Sequence, residues 1–179
     1  MSPTEQHTVR IDTLIGEGFE GSGSSAAHVK AVFGDRNGPV GAAWIAALAA
    51  PTAGHAPFVV VARPGLPVKP LTLFVTTATT TEAEHSRVTW GAAQAGIATG
   101  VMDAVSTGTL PADVADVGLL IVSVWVDPGA TSAHQDAVFV NNRVAMLAAL
   151  RSAVSGRPTV EEVLDDEEGI WNPFFHPSS

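Results

Sequence analysis

Hydrophobic and polar positions alternate most clearly over residues 27–33. Val29, Ala31 and Phe33 share one side of a strand, while His28, Lys30 and Val32 share the other. An earlier strand is expected over residues 9–15, closed by Gly16. The glycine–serine run over residues 21–25 reads as the loop that joins the two into an antiparallel hairpin. Gly38-Pro39 opens a helix with proline near its first position, an apolar stripe of Trp44, Ile45 and Leu48, and a stop at Pro51. Residues 57–62 form a continuous apolar run, the pattern of a central strand, and 63–67 a rigid loop. Residues 71–80, rich in threonine and valine, predict a fourth strand.

Thr81 and Glu84 make a capping box for a helix that passes through Trp90 and Met102 to about Gly108. Residues 118–126 are a strongly apolar strand ended by Asp127-Pro128-Gly129. A long helix over 132–155 ends at Gly156, and Thr159 with Glu162 caps a short last helix. The tail around Trp171, Phe174 and Phe175 is irregular but aromatic, and is expected to pack on a neighbour. The order β-β-α-β-β-α-β-α predicts an α+β fold, a two-layer sandwich with one mixed sheet and helices on one face. With 179 residues the chain suits one domain, expected over 1–179 with its core at about 9–165 and the aromatic tail at 166–179.

Charge and composition narrow the chemistry. A net charge of -9 argues against nucleic acid as a partner, because phosphate neutralisation needs a basic surface. The longest apolar run is far short of the ~20 residues that span a bilayer. Residues 1–6 lack the basic-then-apolar pattern of a signal peptide, so the cytoplasm is the expected location. Without cysteine there is no disulfide, thiolate metal site or thiol nucleophile. No histidine pair has metal-site spacing, and no phosphate or dinucleotide fingerprint is present. His55 reads as structural, and His85 and His134 as solvated first-turn residues. The two lysines, Lys30 and Lys69, are the scarce cations available to an anionic ligand.

The residues that carry a family resemblance run in order along most of the chain, roughly 16–164. They are Gly16-Glu17, Ala27-His28-Val29, Gly38-Pro39, Leu66-Pro67-Val68-Lys69-Pro70 with Thr72-Leu73, and Gly91-Ala92-Ala93-Gln94. Leu110-Pro111-Ala112-Asp113, Val122-Ser123-Val124 and Asn172-Pro173-Phe174 follow. In this the chain resembles the formaldehyde-activating enzymes, which condense formaldehyde with tetrahydromethanopterin and lose water. The resemblance implies a sandwich similar to the second domain of ribosomal protein S5, a homopentamer, and a role in one-carbon metabolism and formaldehyde detoxification. It implies tetrahydromethanopterin as a co-substrate, formaldehyde as its partner, and no permanently bound cofactor or metal.

Carried over residue by residue, the resemblance makes His28 the general acid and Gln94 and Thr79 pterin contacts. It places Val59 where a leucine lines the pocket, and Thr77 where a lysine is usual. Lys30 stands where the family has an acidic residue. An ammonium there repels an imidazolium that a carboxylate would attract. Lys30 therefore points away on a twisted edge, or replaces the cation lost at Thr77, or marks a site that no longer binds tetrahydromethanopterin. A further option makes a buried Lys30 the amine that captures formaldehyde as an iminium. A binding or sensing protein for formaldehyde or another one-carbon carrier stays open beside the enzyme. Taken without the resemblance, His28 is also readable as a strand histidine bonded to a backbone carbonyl, and Gln94 as a solvent-facing helical residue.

Overall fold

The computed structural model describes residues 11–53, 55–79, 82–167 and 169. The fold is α+β, built on a five-stranded mixed sheet. Strand β1 (Leu14–Glu20) pairs antiparallel with β2 (Ala27–Asp35), and β2 pairs antiparallel with β7 (Gly118–Val126). On the far side of β7 lies β6 (Leu71–Thr76), parallel to it, and then the two-residue edge strand β3 (Phe58–Val59). The order across the sheet is thus β1-β2-β7-β6-β3. A small separate hairpin joins β4 (Val61–Arg63) to β5 (Leu66–Pro67).

The alternation in β2 sorts its side chains as the sequence predicts. Val29, Ala31 and Phe33 are buried in the core with Leu120, Val122 and Val124 of β7 and Phe74 of β6. Helices α3 (Gln94–Ser106) and α5 (Gln135–Ser155) cover this face. The approach of α5 to β1 depends on Gly16 and Gly18. A Cβ at either position would lie 2.1 Å from a backbone carbonyl oxygen of α5, at Ala149 and Ala145 respectively. Glycine here serves close packing, and for that reason Gly16 lies inside β1 and does not close a strand. The expected strand over 9–15 is shifted to 14–20, and residues 9 and 10 lie outside the described chain.

The apolar run over 57–62 is not a central strand. Only Phe58 and Val59 join the main sheet, at its edge, because β7 fills the place between β2 and β6. The run then turns away as Val61 pairs with Pro67. Strand β6 ends at Thr76, so Thr77 and Thr79 follow it and are exposed. Helix α1 (Pro39–Ala49) starts at its proline as expected. It lies on the face opposite α3 and α5, where a Cβ on Gly34 would meet Val40. Its inward residues are Val40 and Gly41, while Ile45 and Leu48 of the expected stripe are exposed.

The helix expected from Thr81 is interrupted. Helix α2 (Ala83–Val88) passes through a π-helical turn (Thr89–Ala93) into α3. Thr81 and the aromatic tail lie outside the described residues. A short α4 (Ala112–Val117) leads into β7, and α6 (Val160–Leu164) carries the expected Thr159–Glu162 capping box. Two histidines depart from expectation. His85 is buried, and its Nε2 donates to the Val126 carbonyl at 3.1 Å. His134 caps its own turn, its Nδ1 accepting from the Thr131 amide at 3.1 Å.

Candidate functional site

Among the described residues, helix α1 covers one end of the second sheet face. In register along it run Phe19, His28 and Trp125 from β1, β2 and β7, and beside them Glu17, Lys30 and Ser123. These are the even positions of β2, the side that the buried odd positions leave to solvent. The Phe19 ring meets the His28 imidazole edge-on, with centroids 6.3 Å apart. His28 Nε2 is hydrogen-bonded to the Glu17 carboxylate. The His28 side chain is 33% exposed, so it is framed yet reachable.

His28 is therefore not tied to a backbone carbonyl. Lys30 is exposed, which removes the burial needed for an iminium-forming amine. It lies on β2, inside the sheet and not on a twisted edge, and Glu17 is its direct cross-strand partner. Lys69 sits before the opposite end of β6, with its Nζ 4.0 Å from Asp116, and is no part of this group.

A second group forms at the other edge of the sheet. A cleft of about 360 Å³ is lined by Phe58, Val59, Val61, Trp90 and Gln94 together with Ala56 and Pro57. Phe58 stacks on Phe74 at 4.7 Å between centroids, which fixes the floor. The π-helical turn inserts an extra residue into the helical path and so sets Trp90 and Gln94 on the cleft. Gln94 Nε2 donates to the Val61 carbonyl at 3.0 Å, which holds the amide in place. Gln94 is consequently half-buried and not a free helical glutamine.

Val59 and Gln94 thus share one cleft, and His28 and Lys30 share one face. The two groups do not meet within one chain. Three strand spacings of ~4.8 Å separate β2 from β3, roughly 14 Å. Thr77 lies between them, its amide and Oγ1 both donating to the Val124 carbonyl, at 3.0 and 3.2 Å. His55 is structural as expected, its Nδ1 donating to the Thr76 carbonyl at 2.8 Å.

Residues 15–175 match the model of the family described as formaldehyde-activating enzyme. The chain belongs to the formaldehyde-activating enzyme family. It is 38% identical over 164 residues to the 5,6,7,8-tetrahydromethanopterin hydro-lyase of Methanosarcina barkeri, covering 92% of this chain and 91% of that protein. It is also 38% identical over 160 residues to the bifunctional enzyme Fae/Hps of Methanothrix thermoacetophila, and 35% over 163 residues to that of Archaeoglobus fulgidus. These matches cover 89% and 91% of this chain but only 40% of each bifunctional protein.

Among the described residues no cluster of three or more histidine or acidic side chains could hold a metal ion. No described helix is long and apolar enough to cross a membrane. Two residues of this family member escaped the sequence reading. Glu17 was hidden by the misplaced first strand, since only the register Glu17–Lys30 brings it beside His28. Trp90 reads in the sequence as part of a regular helix, and only the π-helical turn reveals it as a cleft residue.

Proposed function

We propose that this chain condenses formaldehyde with tetrahydromethanopterin to give methylene-tetrahydromethanopterin and water. One observation carries the reading: the family match over residues 15–175 includes His28 on the outer face of β2, partly exposed and already held by a carboxylate. One pterin amine adds to formaldehyde as a carbinolamine. The departing hydroxyl takes a proton and leaves as water, and the second amine closes on the iminium carbon and loses its own proton. His28 supplies the proton, a contribution worth about 10²–10⁴-fold. An imidazole suits the task because its two ring nitrogens can hold and pass on a proton.

Gln94 serves the pterin with its amide carbonyl and second N–H, since one N–H is committed to Val61. Val59 and Trp90 supply apolar walls, and Thr77 and Thr79 border the site from the end of β6. Lys30 provides the cation that Thr77 lacks. The three strand spacings of ~4.8 Å between β2, which carries His28, and the cleft edge at β3 favour a site completed between two copies of the chain, and a homopentamer is the assembly that the family resemblance implies. The whole chain acts as one such domain in cytoplasmic one-carbon metabolism and formaldehyde detoxification. Tetrahydromethanopterin is consumed as a co-substrate.

Lys30 and Thr77 favour a second reading, in which the same chemistry or simple binding serves a different amine or reduced pterin. The test follows methylene-bridge formation by absorbance with tetrahydromethanopterin and, separately, with tetrahydrofolate. Acceleration of the first above its spontaneous rate is the expected result. Acceleration of the second alone would transfer the assignment to another carrier. Saturable binding without acceleration of either would make the protein a binder.

A further inference from the structure

His28 is oriented from a neighbouring strand. Its direct partner across β1 is Phe19, which touches the ring edge-on. The carboxylate on Nε2 comes diagonally from Glu17, whose own direct partner is Lys30. Glu17 therefore stands opposite Lys30 while its carboxylate reaches His28. The groups facing His28 from β7 are Trp125 and Ser123, neither of which carries charge, so Glu17 and Lys30 are the charged groups beside it. Nδ1 has no partner among the described residues.

The proton of a neutral imidazole sits on the nitrogen that a carboxylate accepts from, and the other nitrogen then does the exchange. We propose that Glu17 is a positioning residue for His28, holding the ring Nε2-protonated so that Nδ1 is the atom that delivers the proton to the departing hydroxyl. In the charged ring Nδ1–H gives that proton, the hydroxyl leaves as water, and the ring is left neutral with its lone pair on Nδ1. The proton released when the second amine closes the bridge restores the charged ring. This assigns to β1 the carboxylate that β2 lacks at Lys30. It rests on His28 being the acid, as proposed above.

The test combines ring ¹⁵N magnetic resonance of the intact, histidine-labelled protein with steady-state kinetics. The His28 signals are identified by their loss in His28→Ala. In the wild type the neutral ring is expected to be Nε2-protonated. In Glu17→Ala the two tautomers should mix, and kcat should fall about 10–100-fold, by analogy with the loss when the outer partner of a metal-ligating histidine is removed. The KM for tetrahydromethanopterin should stay within about twofold. Glu17→Gln keeps an acceptor oxygen and should recover part of the loss. A wild-type ring protonated on Nδ1 would overturn the proposal without any variant. So would a folded Glu17→Ala with unchanged tautomer and kcat. If His28→Ala itself retains full activity, the assignment of the acid fails instead. Loss of activity in His28→Ala but not in Glu17→Ala removes only the role of Glu17.

Discussion

The two faces of β2 differ in every physical respect though they alternate along nine residues. On one face Val29, Ala31 and Phe33 are at most 1% exposed and close-packed beneath α5 and α3. On the other, His28 and Lys30 stand in the open beside Glu17, Phe19 and Trp125. The closed face has apolar side chains and bare glycines, so every change in volume is felt there. The open face keeps polar groups that the fold does not require. If His28 is the acid proposed above, one strand separates stability from chemistry by parity alone, and substitutions at odd and even positions should be distinguishable by what they damage.

The sharpest break on the closed face is Phe33→Ala. Removing a fully buried aromatic side chain should cost about 3–5 kcal/mol in denaturant unfolding. Catalysis per folded molecule should be unaffected. Gly18→Val tests the close approach of α5, since any side chain there meets the Ala145 carbonyl. A loss of about 1–3 kcal/mol is expected, with a lowered thermal midpoint. A neutral result would mean that α5 can lift from β1. At the cleft, Gln94→Ala should raise the KM for the pterin about tenfold with kcat nearly unchanged, the worth of one hydrogen-bonding side chain. The smallest effect belongs to Lys30→Ala. An exposed cation contributes at most ~1 kcal/mol, so KM should rise by no more than about fivefold. A complete loss of activity there would place Lys30 in the chemistry itself.

The parts of this division that lie in local pattern were legible in the sequence. The alternation of β2, the apolar β7 at its observed bounds, the long α5 with its Gly156 cap and the Thr159–Glu162 capping box all follow from periodicity and end signals. Tertiary demands hid the rest. Gly16 looks like a strand stop until α5 lies on it. The run at 57–62 looks central until a later strand, β7, takes the central place. His85 looks solvated until the Val126 carbonyl is brought against it. Of the residues in the proposed site, His28 and Gln94 were visible from their motifs, whereas Glu17 required the hairpin register and Trp90 the π-helical turn.

The measurement that bears most directly on this account is a paired one on His28→Ala. Its acceleration of formaldehyde condensation with tetrahydromethanopterin and its unfolding midpoint are recorded beside those of the wild type. The account predicts an activity lower by about 10²–10⁴-fold with the midpoint nearly unchanged, because His28 is a partly exposed side chain on the open face. A His28→Ala protein that accelerates the reaction as well as the wild type would contradict it.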